Sequence, residues 1–130
     1  MPPARPVRIV VVEDETSTRA GIVAQVRAIP GVEVVAECGD GTEAVEVILD
    51  QHPDLVLLDI QLPELTGFEV IEAVGSEQMP PVVFITAFDE FAIRAFETEA
   101  VDYLLKPFGQ ARLARAVSRA VDRLREPTGP

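Results

Sequence analysis

Charged or hydroxyl-bearing side chains stand at the end of four apolar runs of the chain. Glu13 and Asp14 follow the first run, and the next three runs lead into Asp59, Thr86 and Lys106. Ligands of open α/β sheets bind beyond the carboxyl ends of parallel strands. If the four runs are parallel strands, three carboxylates, one hydroxyl and one ammonium group meet in a single crevice.

Three carboxylates in one crevice destabilise one another, because like charges at close range disfavour the ionised form. A hard divalent cation removes that cost, and carboxylate oxygens with water suit Mg²⁺ or Mn²⁺. One carboxylate can then attack a phosphoryl group and form an acyl phosphate, while the cation, Lys106 and Thr86 neutralise the phosphoryl oxygens. Asp59 is the better nucleophile because it stands alone, and Asp14, between two glutamates, is more naturally a metal ligand.

Taken singly, each of these residues also has an ordinary structural explanation. A strand-end Asp or Thr often only caps the next helix, and Lys106 followed by Pro107 would by itself indicate a surface turn. Lys106 is, however, the only lysine of the chain, against ten arginines. A compact ammonium group at this one position favours a chemical role, because its charge is concentrated at a point.

Strands alternate with helices along the chain. Apolar runs predict strands at residues 8–12, 32–36, 55–58, 82–85 and 101–105. Helical spacing and capping residues predict helices that begin near Thr16, Asp40, Gly67, Asp89 and Gln110, the last of them running to residue 125. Thr16 and Asp89 are expected to cap the first and the fourth helix. Four residues at helical spacing in the fifth helix are expected to face inward: Leu113, Val117, Val121 and Leu124. The alternation favours a parallel sheet covered by helices on both faces. The second strand alternates and carries Glu33 and Glu37, which is typical of an edge strand.

Composition excludes several classes of protein. The 130 residues suit one domain, and an apolar fraction of 48% is ordinary for a globular fold. A net charge of −11 argues against direct binding of nucleic acid, which needs a basic face. The single cysteine, Cys38, allows no internal disulfide and fits a reducing compartment. No apolar stretch approaches the roughly 20 residues of a membrane span, and the Pro-rich start lacks a signal-peptide core, so we expect a cytoplasmic protein without a membrane partner.

Several short motifs together resemble the receiver domain of bacterial two-component response regulators. They are Val-Val-Glu-Asp-Glu at residues 11–15, Pro-Asp-Leu-Val-Leu-Leu-Asp-Ile-Gln-Leu-Pro at 53–63 with Gly67, Ile-Thr-Ala at 85–87 and Tyr-Leu-Leu-Lys-Pro-Phe at 103–108. The resemblance covers about residues 8–124, and its strength lies in the joint spacing. Residues 86–97 and 100–108 are most similar to receivers that precede a LytTR-type DNA-binding domain.

The resemblance implies a fold and a set of roles. The fold is a flavodoxin-like, doubly wound α/β domain whose five-stranded parallel sheet has the order 2-1-3-4-5. The resemblance implies that Asp59 is the phosphoacceptor and that Glu13 and Asp14 are the acidic pair. The metal ligands it implies are Asp14, Asp59 and the main-chain carbonyl of Gln61. Thr86 and Lys106 would sense the phosphoryl group, and Tyr103 would be the aromatic switch. Most receivers carry Asp where this chain has Glu13, so the longer side chain is expected to reach the metal through water. The family also implies a cis peptide bond before Pro107.

The partners implied are a histidine kinase as phosphodonor and, after phosphorylation, a second copy of the chain. The dimer face is expected on the fourth helix, fifth strand and fifth helix, with apolar contacts from Phe91 and Ala100. Charged residues of both signs occupy this face: Asp89, Glu90, Glu97, Asp102, Arg94, Arg112, Arg115 and Arg119. The domain is expected to support its own Mg²⁺-dependent phosphoryl transfer and dephosphorylation without being a turnover enzyme.

The division of the chain follows from the same resemblance. Residues 1–7 are expected to be loose, residues 8–125 to form the receiver, and residues 126–130 to begin a linker. This favours a transcriptional regulator whose DNA-binding output domain is absent from this chain, over a single-domain receiver that acts through protein contacts.

Two functions of other classes fit the sequence less well. A flavodoxin-like electron carrier shares the sheet order, and Thr16 to Thr18 could suggest a phosphate loop, but Glu13, Asp14 and Glu15 would repel the FMN phosphate. The chain also has no Trp and a single Tyr to flank a flavin. A haloacid-dehalogenase-like phosphatase needs a second Asp two residues after the first, where this chain has Gln61.

Overall fold

The computed structural model describes residues 5–125. Residues 1–4 and 126–130, with the predicted start of the linker, lie outside the described part. The strands are β1 (Val7–Val12), β2 (Val32–Cys38), β3 (Leu55–Asp59), β4 (Val82–Thr86) and β5 (Asp102–Leu105). The helices are α1 (Thr16–Arg27), α2 (Gly41–Gln51), α3 (Gly67–Val74), α4 (Ala92–Glu97) and α5 (Gln110–Arg125).

All five strands are parallel and lie in the order β2-β1-β3-β4-β5. This confirms the predicted fold class, including the edge position of β2. β3 and β4 are buried along their whole length, because helices cover both of their faces. Among residues 5–125, no helix combines the length and hydropathy that a bilayer crossing requires.

Successive strand residues face opposite layers of helices. In β1, Ile9 and Val11 pack with α1 and α5, whereas Val10 and Val12 pack with α2, α3 and α4. The same alternation runs through β3 and β4. The two apolar layers therefore fix the register of every central strand, since a slip by one residue would exchange the layers.

Three details of the helices differ from the sequence-based predictions. The side chain that caps α1 belongs to Glu15, not Thr16, because its longer carboxylate accepts a 2.6 Å hydrogen bond from the Thr18 amide. α4 begins at Ala92 without any side-chain cap, so the cap predicted at Asp89 is wrong. Leu124, predicted to face inward, is 41% exposed on the last turn of α5.

The start of the described chain is fixed to the α2–β3 loop. Arg5 makes two hydrogen bonds of 2.7 Å to the Asp54 carboxylate, and the same carboxylate accepts a 2.8 Å bond from the Arg8 amide. Val7 already belongs to β1. Arg5 and Val7, which belong to the segment expected to be loose (residues 1–7), are therefore held by contacts with the rest of the chain. Residues 1–4 of that segment lie outside the described part.

Two glycines, one in α1 and one at the start of α2, make a matched test of packing. We predict that Gly41→Ala lowers the free energy of unfolding by about 1–3 kcal/mol, because a Cβ atom there would lie 2.2 Å from the Leu65 carbonyl oxygen. Gly21→Ala is the control: a Cβ atom there meets nothing within 4 Å, and Ala favours the helix by about 0.5–1 kcal/mol. Urea denaturation of both variants should show changes of opposite sign, and equal changes would contradict this account of the packing.

Candidate functional site

The carboxyl ends of β1, β3 and β5 bring three charged side chains into contact. The Lys106 ammonium lies 2.5 Å from Glu13 Oε1 and 2.7 Å from Asp59 Oδ2. Glu13 is 1% exposed and Asp59 is 3% exposed. The ammonium is thus shared by two buried carboxylates, which is the arrangement expected if the strand ends converge.

Burial dominates the protonation behaviour of Asp59. Removal from solvent raises the pKa of Asp59 to about 6, and the opposing attraction of Lys106 offsets that rise only in part. For Lys106, burial acts to lower the pKa, but hydrogen bonds to Asp59 and Glu13 outweigh it and the pKa lies above its ordinary value. Near neutral pH the pair is therefore an ammonium facing a carboxylate that protonates more readily than a solvated Asp.

The two members of the acidic pair occupy different environments. Burial acts to raise the pKa of Glu13, but the bonds from Lys106 and from the Glu15 amide hold it below the usual value. Asp14 is exposed, and its partial desolvation together with the Glu13 carboxylate raises its pKa. Glu13 is therefore committed to internal partners, whereas Asp14 faces the open side of the crevice.

The three carboxylates fit a divalent cation. One oxygen of each of Glu13, Asp14 and Asp59 lies within 4.8 Å of the others. Three carboxylates against one ammonium leave a net negative charge, and an all-oxygen donor set suits a hard cation such as Mg²⁺. Gln61 adjoins these three carboxylates, because its main-chain N–H donates a 3.2 Å hydrogen bond to Asp59 Oδ1.

The β3–α3 connection depends on a close approach of Gly67. Its amide donates a 2.8 Å bond to the Ile60 carbonyl, and a Cβ atom at this position would lie 2.5 Å from the Asp59 carbonyl oxygen. Only a residue without a side chain allows the start of α3 to lie against the end of β3. Gly67 thereby holds the backbone of the candidate acceptor in place.

A chain of hydrogen bonds leads from the crevice toward the surface. Thr86 is fully buried at the end of β4, and its hydroxyl oxygen accepts a 3.2 Å bond from the Phe88 amide. The Tyr103 hydroxyl, on β5, donates to the Phe88 carbonyl. The main chain of Phe88 thus connects the two residues to which the resemblance assigns sensing and switching.

On the predicted dimer face, some of the charged residues are already paired within the chain. Asp102 is not free for a partner, because it pairs with Arg112 through bonds of 2.7 and 2.8 Å and lies 3.6 Å from Arg119. Two α4 residues are instead strongly exposed, Ile93 at 78% and Phe96 at 84%. Phe91 and Ala100, the apolar contacts expected from the sequence, are half-buried.

Phe91 belongs to an aromatic cluster around the start of α3. Its ring lies 6.4 Å from that of Phe68 and 6.4 Å from that of Phe88, and Phe68 also packs 5.1 Å from Phe84. The Arg94 guanidinium lies 4.1 Å from the centroid of the Phe68 ring. Such a cation–π contact fixes α4 against α3, so Arg94 too is engaged within the chain.

Sequence reasoning missed two residues of α1 that support the site. Arg19 donates a 2.7 Å hydrogen bond to the Glu13 carbonyl and lies 3.6 Å from the Glu37 carboxylate. Gln25 donates a 3.0 Å bond to the Phe108 carbonyl, 83 residues further along the chain. Nothing in the local pattern indicates these contacts, since both depend on how α1 packs. The cis Lys106–Pro107 bond, in contrast, is present as predicted.

Comparison with known proteins points to one family. Residues 9–118 match the model of the response regulator receiver domain. The chain is 45% identical over 112 residues to an uncharacterized response regulatory protein of Yersinia pestis, which covers 86% of this chain and 47% of that protein. It is 38% identical over 113 residues to the transcriptional regulatory protein BtsR of Escherichia coli, covering 87% and 47%. The chain thus spans about half the length of these curated relatives.

Solved structures agree with the sequence comparison. The signal receiver domain of the response regulator NarL from Mycobacterium tuberculosis has a TM-score of 0.82 at 35% identity, covering 92% of this chain and 98% of that one. The response regulatory domain of mrkE from Klebsiella pneumoniae has a TM-score of 0.77 at 30% identity, with coverage of 89% and 96%. The observed sheet order is therefore that of a known group of signalling domains.

The buried Asp59 carboxylate should impose a pH dependence on stability. Because its pKa is raised from 3.8 to about 6 in the folded state, the native protein holds a proton that the unfolded chain releases, and stability falls as pH rises from about 4 to about 6. Asp59→Asn removes this loss, so the variant should be more stable than the parent at pH 7 by about 1–3 kcal/mol. Urea denaturation in EDTA between pH 4 and 8 measures the difference. A gap that does not widen over this interval would contradict the raised pKa.

Proposed function

The chain belongs to the response regulator receiver family, and we propose that it is a phosphoacceptor domain in which Asp59 takes a phosphoryl group from a histidine kinase. Receiver domains of this family are signalling domains rather than turnover enzymes. The observation that carries the proposal is the contact between the buried Asp59 carboxylate and the Lys106 ammonium at 2.7 Å, at the end of a central strand.

The chemistry that these residues support is a single displacement at phosphorus. A carboxylate oxygen of Asp59 attacks the phosphorus of a phosphohistidine, the P–N bond breaks, and its electron pair returns to the imidazole nitrogen. The product is an acyl phosphate. Lys106 and the Thr86 hydroxyl then lie on neighbouring strand ends, where they neutralise and hydrogen-bond the phosphoryl oxygens.

We further propose that Mg²⁺, or Mn²⁺, binds through Asp14, Asp59 and the Gln61 carbonyl. When bound, the cation supplies positive charge that neutralises the phosphoryl oxygens. Both carboxylate oxygens of Glu13 already have partners, Oε1 with Lys106 at 2.5 Å and Oε2 with the Glu15 amide at 3.0 Å. This supports the earlier expectation that Glu13 reaches the metal through water.

The route from phosphorylation to the surface, in this proposal, passes through Phe88. When the Thr86 hydroxyl turns toward the phosphoryl oxygens, the Phe88 amide loses its acceptor and the β4–α4 connection is free to shift. Because the Tyr103 hydroxyl is bonded to the carbonyl of the same residue, its ring moves with that connection. A local change of charge thereby biases a two-state surface formed by α4, β5 and α5.

The output of this switch is proposed to be transcriptional, through a DNA-binding domain outside this chain. The supports are the resemblance of residues 86–97 and 100–108 to LytTR-type receivers, and relatives of about twice this length, one of which is a transcriptional regulatory protein. A single-domain receiver that acts through protein contacts is the alternative. The cytoplasmic location remains a proposal that rests on the family. Neither the electron carrier nor the phosphatase is retained, because the receiver family accounts for residues 9–118.

We predict that the protein takes up one phosphoryl group from acetyl phosphate in the presence of Mg²⁺. Intact-mass spectrometry should show one added phosphoryl group in the parent and none in Asp59→Asn. Asp14→Ala should slow the uptake strongly at low millimolar Mg²⁺, because it removes a proposed metal ligand without touching the nucleophile. The exposed residue Asp50 provides the matched control, and Asp50→Ala should behave like the parent.

Equal uptake in the parent and in Asp59→Asn would refute the assignment of the acceptor. Equal uptake with and without EDTA would refute the dependence on a divalent cation while leaving Asp59 as the acceptor. The two conclusions are thus separated by the same set of measurements.

We also predict that the phosphoryl analogue beryllofluoride shifts the protein toward a dimer in sedimentation velocity. The exposed side chain of Phe96 should supply much of the affinity, because surface ion pairs contribute little and the nearby Asp102 is paired within its own chain. Phe96→Ser should therefore prevent dimerisation, whereas Leu49→Ser, at a 41% exposed position of α2, should not. If activated protein stays monomeric at high micromolar concentration, or if Phe96→Ser dimerises unchanged, this face is not the output.

A further inference from the structure

The loop that carries Lys106 is short and is anchored at two points. It comprises the four residues 106–109 between the end of β5 and the start of α5. At its beginning, the Lys106 amide donates a 2.8 Å hydrogen bond to the Thr86 carbonyl, which continues the β4–β5 pairing. Two residues later, the Phe108 carbonyl accepts a 3.0 Å bond from the Gln25 side chain of α1.

Gln25 also accepts a hydrogen bond from the residue that follows this loop. The Gln110 side chain, on the first turn of α5, donates a 2.8 Å hydrogen bond to the Gln25 main-chain carbonyl. One residue of α1 thus takes part in two amide contacts, one to the Lys106 loop and one to the helix that follows it. The pair forms a reciprocal clamp between α1 and the β5–α5 connection.

Apolar packing holds this part of the loop mainly at Phe108, which lies half-buried against the core residues of α1 and α5. An open cavity lies between α1 and the Lys106–Pro107 stretch, with Thr18, Gly21 and Ile22 on the side of α1. Side chains across a cavity make few van der Waals contacts, so they constrain each other weakly. The Gln25 side chain spans this gap with a directional bond, which leaves the clamp as a specific constraint on where the loop lies.

We propose that Gln25 is a positioning residue for Lys106, an inference that rests on the proposed phosphoacceptor function. The ammonium group sits at the end of a flexible four-carbon stem, so its reach is set by where the loop backbone lies. Gln25 holds that backbone so that Lys106 meets the Asp59 carboxylate in the resting protein and the phosphoryl oxygens after transfer. Gln25 itself touches neither the acceptor nor the phosphoryl group.

The proposal predicts a selective defect, because the metal side of the site has a different support. Arg19, two turns earlier on α1, holds the backbone of the acidic pair through the Glu13 carbonyl at 2.7 Å. Loss of the Gln25 amide should therefore impair interactions that need Lys106 and spare those that need only Asp14 and the Asp59 carboxylate. A purely structural role would weaken both sides together.

The test compares Mg²⁺ affinity with beryllofluoride affinity at saturating Mg²⁺, each followed by titration of the intact chain. Gln25→Met keeps the length of the side chain but removes the amide donor. We expect its Mg²⁺ affinity to stay within about twofold of the parent and its beryllofluoride affinity to fall about threefold to tenfold, which is the scale of one lost neutral hydrogen bond. Gln110→Met should also leave the Mg²⁺ affinity unchanged and lower the beryllofluoride affinity, but by a smaller factor, since it removes only the hydrogen bond on the exposed side of the clamp.

Gln78→Met provides the matched control, because the Gln78 side chain is exposed in the α3–β4 turn and makes no hydrogen bond within residues 5–125. It should leave both affinities unchanged. Unchanged beryllofluoride affinity in Gln25→Met and Gln110→Met overturns the proposal, and so does a parallel fall of both affinities. A parent protein that binds no beryllofluoride would instead overturn the proposed phosphoacceptor function.

Discussion

The structure depends on one shared charge, the Lys106 ammonium between Glu13 and Asp59. Two carboxylates that are almost without solvent contact are strongly unfavourable unless they are paired and hydrogen-bonded. A single ammonium at 2.5 and 2.7 Å cannot neutralise both of them. The pKa of Glu13 stays below its usual value, whereas the pKa of Asp59 is raised to about 6. The residual negative charge of these side chains favours the binding of a cation. The exposed Asp14 carboxylate lies on the open side of the crevice, from which such a cation would enter. The proposed phosphoryl chemistry and the proposed metal affinity would therefore have the same physical origin.

The distribution of charged residues around the sheet also favours the binding of a cation. Residues 28–93 contain fourteen acidic residues and neither Lys nor Arg, and this stretch builds α2 and α3. All the arginines and Lys106 belong to residues 5–27 and 94–125, which supply β1, α1, α4, β5 and α5. The summed field of such a partition concentrates cations on the acidic side. It also gives α5 a basic outer surface, although Arg112 is already paired with Asp102 at that surface.

The sequence predicts most of the fold and the membership of the crevice, because strand ends are determined by local patterns. An apolar run followed by a polar residue specifies both a strand and the side of the sheet on which that residue lies, and this suffices for Asp59, Thr86 and Lys106. The supporting contacts cannot be predicted in this way. The bond from Gln25 to Phe108 joins residues 83 positions apart, and its existence depends on the packing of α1. The prediction that Thr16 caps α1 was wrong for a related reason. Thr16 and Glu15 are both able to cap a helix, and only the reach of the side chain in the folded structure decides between them.

The shortest helix of residues 5–125 lies where the proposed signal would be read. α4 has only six residues and no side-chain cap at its start, and a helix that short has little stability of its own. Its outer face carries Ile93 and Phe96 into solvent, so apolar burial holds it on one side only. Apart from that buried side, α4 is held by the contact of Arg94 with the Phe68 ring and by the hydrogen bond of the Tyr103 hydroxyl to the Phe88 carbonyl, in the β4–α4 connection. Elements of low local stability are those that move in switching proteins. A change at Thr86, which acts on that same entrance through the Phe88 amide, would therefore meet the least resistance in α4.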